Sequence, residues 1–173
     1  FLRGRLCMEF KFLYFLQSLH SPVMDNIMIF FTHLGSGGVI WIIIAAILIF
    51  NRRTRKCGLC VILSLVLCLV IGNMLLKNIV CRPRPCWIDE SIKMLIPVPK
   101  DYSFPSGHTF SSFASATAIL KNNRKYGIAA FVLAAIISFS RMYLFVHFPT
   151  DIIAGIIMGV VCGSISYKII IKK

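Results

Sequence analysis

Acidic residues are the scarcest chemistry in this chain: six Asp and Glu stand against 19 Lys and Arg, a formal net charge of +13. The six (Glu9, Asp25, Asp89, Glu90, Asp101 and Asp151) are scattered. They make no carboxylate cluster of the kind that holds Mg²⁺ or Zn²⁺, so neither metal nor cofactor is expected. Charge of either sign is also low, 14% of residues against 58% hydrophobic. A soluble domain of this size needs far more polar surface, which leaves the bilayer as solvent. Half of a metal-binding cysteine pattern is missing too. Cys57 and Cys60 form a C-x-x-C, but no second pair and no thioredoxin-like βαβ context accompany it, so both read as structural. Cys81 and Cys86 flank R-P-R-P, and whether they pair is left open. There is no internal repeat and no cleavable signal peptide; the apolar stretch near 12–19 is short and lacks a cleavage site. Residues 1–7 are read as a tag remnant or an overextended translation, with Met8 as the natural start.

What is present is a series of apolar runs punctuated by basic clusters. A hydrocarbon core of about 30 Å takes roughly 20 residues per helix. About five runs meet that need: 24–50, 58–77, 106–120, 126–146 and 149–171. The chain is therefore expected to be all-α, one polytopic membrane helix bundle over 1–173. Residues 8–20 are too short and too polar to span and read as an interfacial helix. Gly35-Ser36-Gly37-Gly38 predicts a break in the first span.

The basic clusters lie between spans, which argues for membrane orientation and anion binding and against nucleic acid. Arg52, Arg53, Arg55 and Lys56 join the first two spans; Lys121, Arg124 and Lys125 join the third and fourth; Lys168, Lys172 and Lys173 close the chain. That acid-free face is predicted to be cytoplasmic. The loop 78–105 and the turn at His147 then share the extracytoplasmic face with all six acids. Arg3, Arg5 and Lys11 fall on that face too, mildly against the rule.

Three blocks on that face carry chemistry: Lys77-NIVCRP-Arg84-Pro85, Pro105-Ser106-Gly107-His108, and Ser140-Arg141-MYLFV-His147-FPT-Asp151. Three cations suit a phosphoryl group, whose transfer depends on positioning and on stabilising charge over its oxygens. Ser106 is placed to cap a helix whose free N–H groups form an anion site, and Gly107 lets a ligand approach the backbone. Asp151, one turn from His147, is placed to accept a ring N–H and leave the other nitrogen free as a nucleophile. His20 and His33 have no such partners and read as structural or interfacial.

In order and spacing the blocks resemble the signature of the type 2 phosphatidic acid phosphatase superfamily, which also includes the vanadium-dependent haloperoxidases. The resemblance covers 77–151 and the surrounding helix pattern. It implies a metal-independent phosphatase in which His147 attacks phosphorus, Asp151 orients it, and His108 protonates the leaving oxygen before activating water. Lys77, Arg84, Ser106, Gly107 and Arg141 are implied to hold the phosphate oxygens, with Arg82 as an accessory contact. The compact size is similar to small bacterial undecaprenyl-diphosphate phosphatases. That implies a multi-pass protein of the bacterial plasma membrane acting outside on a lipid phosphate, with no obligate protein partner. Phosphatidylglycerophosphate and phosphatidate remain alternative substrates. A haloperoxidase or a non-catalytic lipid-binding or transport protein are more distant readings. The small-residue series Gly155, Gly159, Gly163 is expected to pack within the bundle.

Overall fold

Helix formation follows the apolar runs closely. The computed structural model describes residues 2–171, with side chains from Leu6 to Ile171. Phe1, Lys172, Lys173 and the side chains of Arg3 and Arg5 lie outside the described residues, as does most of what the sequence suggested for 1–7. Helix α1 (Leu2–Ser18) precedes α2 (Pro22–Gly35), which Ser21 caps at its N-terminus. A single 3₁₀ turn, Ser36–Gly38, then bends the chain into α3 (Val39–Phe50). Gly37 and Gly38 carry φ of 60° and 70°, a left-handed conformation that residues with a Cβ rarely adopt, so the expected break is real.

Helix α4 (Arg55–Cys68) runs on through a π-helical segment, Leu69–Leu76, into the short α5 (Lys77–Val80). After α6 (Pro85–Ile88) and a long loop come α7 (Gly107–Asn122), α8 (Arg124–Tyr143) and α9 (Pro149–Ile171). Among the described residues, four helical stretches are long and apolar enough to cross a membrane: Pro22–Phe50, Arg55–Ile88, Arg124–Tyr143 and Pro149–Ile171. The chain is an all-helical, multi-pass membrane protein. The third of the five expected spans, α7, has only 16 residues and falls below that length. It is the buried centre of the bundle, with Phe110, Ala114, Ala116 and Ala118 all 0% exposed. A helix surrounded by protein does not need a lipid-facing apolar surface.

Close packing around α7 depends on α9. A Cβ at Gly155 would stand 3.0 Å from Thr109, and one at Gly159 would stand 2.8 Å from Phe113. The small-residue series thus works inside the bundle, letting two backbones approach. On the opposite side Trp41 of α3 is buried against α7 and donates its indole N–H to Ser112 Oγ at 2.9 Å. Cys57 and Cys60 are buried in the same apolar core, and all seven cysteines, Cys81 and Cys86 included, are free thiols.

The basic connections gather at one end. Arg53 and Thr54 share a small cavity with Asn122, Asn123 and Tyr126, and Lys121 Nζ lies 5.9 Å above the Tyr167 ring. Helix α1 packs at the other end, over the turn between α8 and α9, where Phe10 meets Phe148 edge-on at 5.3 Å. The acids gather there as well: Tyr14 bonds Asp89, Tyr143 bonds Asp25, and Glu9 pairs with Arg82.

Candidate functional site

Each of the three blocks reaches the site by a different local device. The eight-residue π-helical segment widens the membrane helix just before Lys77, a distortion frequent at functional sites. Gly72 within it lies against Phe110, where a Cβ would come to 2.9 Å. Beyond α5 the chain turns through Cys81 at φ 47° into extended Arg82-Pro83-Arg84. Pro85 at the first position of α6 then fixes the place of Arg84 as its N-cap. The second block starts α7, and the third forms the tight turn between α8 and α9.

These residues converge on a cavity of about 790 Å³. Lys77, Arg84, Gly107, His108, Arg141 and His147 all line it. Arg84 is 2% exposed and is held from several sides. It donates to the Asp101 carbonyl at 2.6 Å and to the Val146 carbonyl at 2.8 Å, and Nη1 lies 3.0 Å from His147 Nε2. Arg141 donates to Thr32 Oγ1, while its buried Nε has no acceptor among the described residues. Leaving such a donor unsatisfied costs about 1–3 kcal/mol, more for a charged group. An oxyanion in the cavity is the natural acceptor.

Behind His147 stands a second set of groups. Asp151 is fully buried, and its Oδ2 lies 3.6 Å from His147 Nδ1. That is too long for the direct hydrogen bond expected from the sequence. The carboxylate is already engaged: Oδ2 accepts the Phe148 N–H at 2.9 Å and the Ser103 hydroxyl, and Oδ1 accepts Arg82 Nη1 at 2.7 Å. Ser103 Oγ, 3.3 Å from Nδ1, fills the gap. The ring N–H therefore reaches Asp151 through Ser103, and Nε2 is left facing Arg84 and the cavity.

Arg82 does not line the cavity. It points the other way, to Asp151, Thr150 and Glu9, so the accessory phosphate contact expected of it is corrected to a contact behind the nucleophile candidate. Ser106 is likewise buried and off the cavity wall; its Oγ caps α7, accepting from Thr109. By helix geometry the N–H groups of Gly107 and His108 have no partner within α7, so the backbone offers the donors. His108 lines the cavity beside Ser36, whose Oγ is 3.5 Å from Nε2. His20 is structural, stacked 4.3 Å from Tyr143, whereas His33 is exposed at the cavity rim.

Two side chains of this site escaped the sequence reading, Ser103 and Asp101. Asp101 pairs with Lys77 and with Arg84 Nη2 (2.8 Å), so it partly neutralises both cations. Burial alone would push its carboxyl up, but Lys77 and Arg84 outweigh that and hold it at about 2. His147 is driven well below the usual histidine range, first by burial and then by Arg84, Arg141 and Lys77. Its imidazole is neutral at physiological pH, with a lone pair available to an electrophile.

Comparison with known proteins identifies the family. Residues 57–173 match the family model of the PAP2 superfamily. The chain is 33% identical to an undecaprenyl-diphosphatase of Sulfolobus acidocaldarius over 84% of its own length and 70% of that protein. It is 31% identical to the undecaprenyl-diphosphatase BcrC of Bacillus subtilis, over 87% and 77%. Its fold superposes on the crystal structure of a transmembrane PAP2-type phosphatidylglycerolphosphate phosphatase from Bacillus subtilis. The TM-score is 0.78 at 26% identity, covering 96% of this chain and 86% of that one. The chain belongs to the PAP2 superfamily and is one of its membrane lipid phosphatases.

Proposed function

We propose that the whole chain, 1–173, is one metal-independent phosphatase domain that hydrolyses a lipid diphosphate, undecaprenyl diphosphate first among candidates, through a phosphohistidine. The observation that carries this reading is the burial of His147 where Lys77, Arg84 and Arg141 converge. Three cations sit where a metal-dependent phosphatase would place carboxylates, and they suit the charge that develops on a transferring phosphoryl group.

In the first step His147 Nε2 attacks phosphorus while the bond to the leaving oxygen breaks. Arg84, Lys77, Arg141 and the backbone at Gly107, braced by the Ser106 cap, hold the remaining oxygens. His108 gives its proton to the departing phosphate or alkoxide. Positive charge grows on the His147 ring, and Ser103 and Asp151 stabilise it from behind. In the second step His108 takes a proton from water, the hydroxide oxygen bonds phosphorus, and the N–P bond breaks to release phosphate.

The lower part of the cavity supports a lipid substrate. It is walled by Ile42, Ile62, Leu65, Val66 and Leu69, and Ile42, Val66 and Leu69 are themselves about half exposed on the lipid-facing surface. A chain can therefore lie in the bilayer while its head group reaches His147. Acid-free basic loops at the far end support a cytoplasmic location for that end, and hence a plasma-membrane enzyme acting on the extracytoplasmic face.

A second reading, phosphatidylglycerophosphate hydrolysis, is favoured by the likeness to the Bacillus subtilis structure. Phosphate release from undecaprenyl diphosphate, phosphatidylglycerophosphate and phosphatidate by purified protein, with EDTA present, decides between them. The expected result is fastest turnover of the diphosphate, undiminished by EDTA and blocked by vanadate. Arrest by chelation would overturn the metal-independent route, and faster turnover of a monoester would overturn the substrate assignment.

A further inference from the structure

Helix α1 lies outside the matched family region, yet its one acid is wired to the site. Glu9 is 8% exposed on a helix whose other inward positions, Leu13 and Leu16, are apolar. Its Oε1 accepts the Thr150 N–H at 3.1 Å and the Thr150 hydroxyl at 2.6 Å. Its Oε2 accepts Arg82 Nη2 at 2.7 Å. Arg82 in turn donates Nη1 to Asp151 Oδ1 at 2.7 Å, and its guanidinium stacks 4.2 Å over Phe148, the residue after His147. A buried carboxylate, a guanidinium and the catalytic-turn carboxylate thus form one continuous chain of charge-assisted hydrogen bonds.

The charges decide what Glu9 contributes. Arg82 and Asp151 alone sum to zero, so behind the ring that pair adds no net charge to offset the positive charge that grows on His147 during attack. With Glu9 the cluster carries one net negative charge. Glu9 also engages the second arm of the Arg82 fork, so Arg82 binds Asp151 through Nη1 only and leaves Oδ2 to Ser103 and the Phe148 N–H. Removing one member of such a buried network disturbs the rest, because the remaining charges lose their partners.

We propose that Glu9 is a positioning residue for the reaction, acting through Arg82 to hold Asp151 oriented behind His147. This rests on the phosphohistidine reading above. In detergent-purified protein, Glu9→Gln is expected to lower kcat about 10-fold with KM unchanged within about twofold, since the group touches no substrate. On an Asp151→Asn background the same change is expected to cost less than about twofold, because the residue it acts through is already lost. Arg82→Lys keeps the charge but gives up the fork, and should show the same dependence on Asp151; it carries the test if Glu9→Gln does not fold. An active wild type with an inactive His147→Ala secures the underlying reading. Given that, a wild-type kcat in Glu9→Gln, or equal losses on both backgrounds, overturns the assignment of Glu9. A wild type inactive on every lipid phosphate, or an active His147→Ala, overturns the phosphohistidine reading itself.

Discussion

The two ends of the bundle treat the same residue types in opposite ways. At the basic end Arg52, Arg53, Arg55, Lys56, Lys121, Arg124 and Lys125 are all exposed, and the cavity between them is lined mainly by apolar residues such as Trp41, Ile44 and Leu48. At the other end Lys77, Arg84 and Arg141 are buried together beside a buried histidine. Desolvating a cation costs several kcal/mol even after relaxation. Three such cations facing one cavity, with Asp101 the single acid between two of them, are poised for an anion. The exposed cations have water for a partner and mark an interface.

Substitutions at the two ends should separate accordingly. His147→Ala removes the proposed nucleophile and should lower kcat on the order of 10⁴-fold or more, read as phosphate release from the best lipid substrate. Arg84→Ala withdraws a donor from the developing oxyanion and should lower kcat about 10²–10³-fold. Arg84→Gln also tests the electrostatics. Burial and the cations Arg84, Arg141 and Lys77 hold His147 low, opposed by Asp101. The acidic limb of kcat/KM due to His147 should therefore lie below the ordinary histidine value of about 6.5. Losing the Arg84 charge should raise His147 and move that limb to higher pH. At the basic end Arg53→Gln should leave kcat within about twofold, and a larger loss there would break the contrast.

The same contrast explains what could be read from the sequence. Spans were legible because lipid-facing helices need long apolar runs, and the break at Gly35–Gly38 because left-handed backbone favours glycine. Lys77, Arg84, His108, Arg141 and His147 were legible as three blocks with fixed spacing, and the structure brings all five to one cavity. The π-helical segment before Lys77 was not, since it depends on how Gly72 meets Phe110 from another helix. Ser103 and Asp101 lie in a loop, where no periodicity marks which side chains turn inward. Glu9 left one faint signal. In a chain this poor in acids, a carboxylate beside apolar residues on a helix needs a cation, and R-P-R-P held one more arginine than the cavity takes.

The shortness of α7 has a bearing on the membrane itself. At about 1.5 Å per residue its 16 residues rise about 24 Å, less than a typical hydrocarbon thickness of about 30 Å. If the basic end of α7 marks one interface, its N-terminus falls a few ångströms short of the opposite edge of a hydrocarbon core of that thickness. A lipid in a thick bilayer must sink its head group to be cut, whereas a thin bilayer brings the scissile bond to the right depth unaided. Turnover in vesicles should then rise as the acyl chains of the host lipid shorten, making the enzyme a gauge of local membrane thickness.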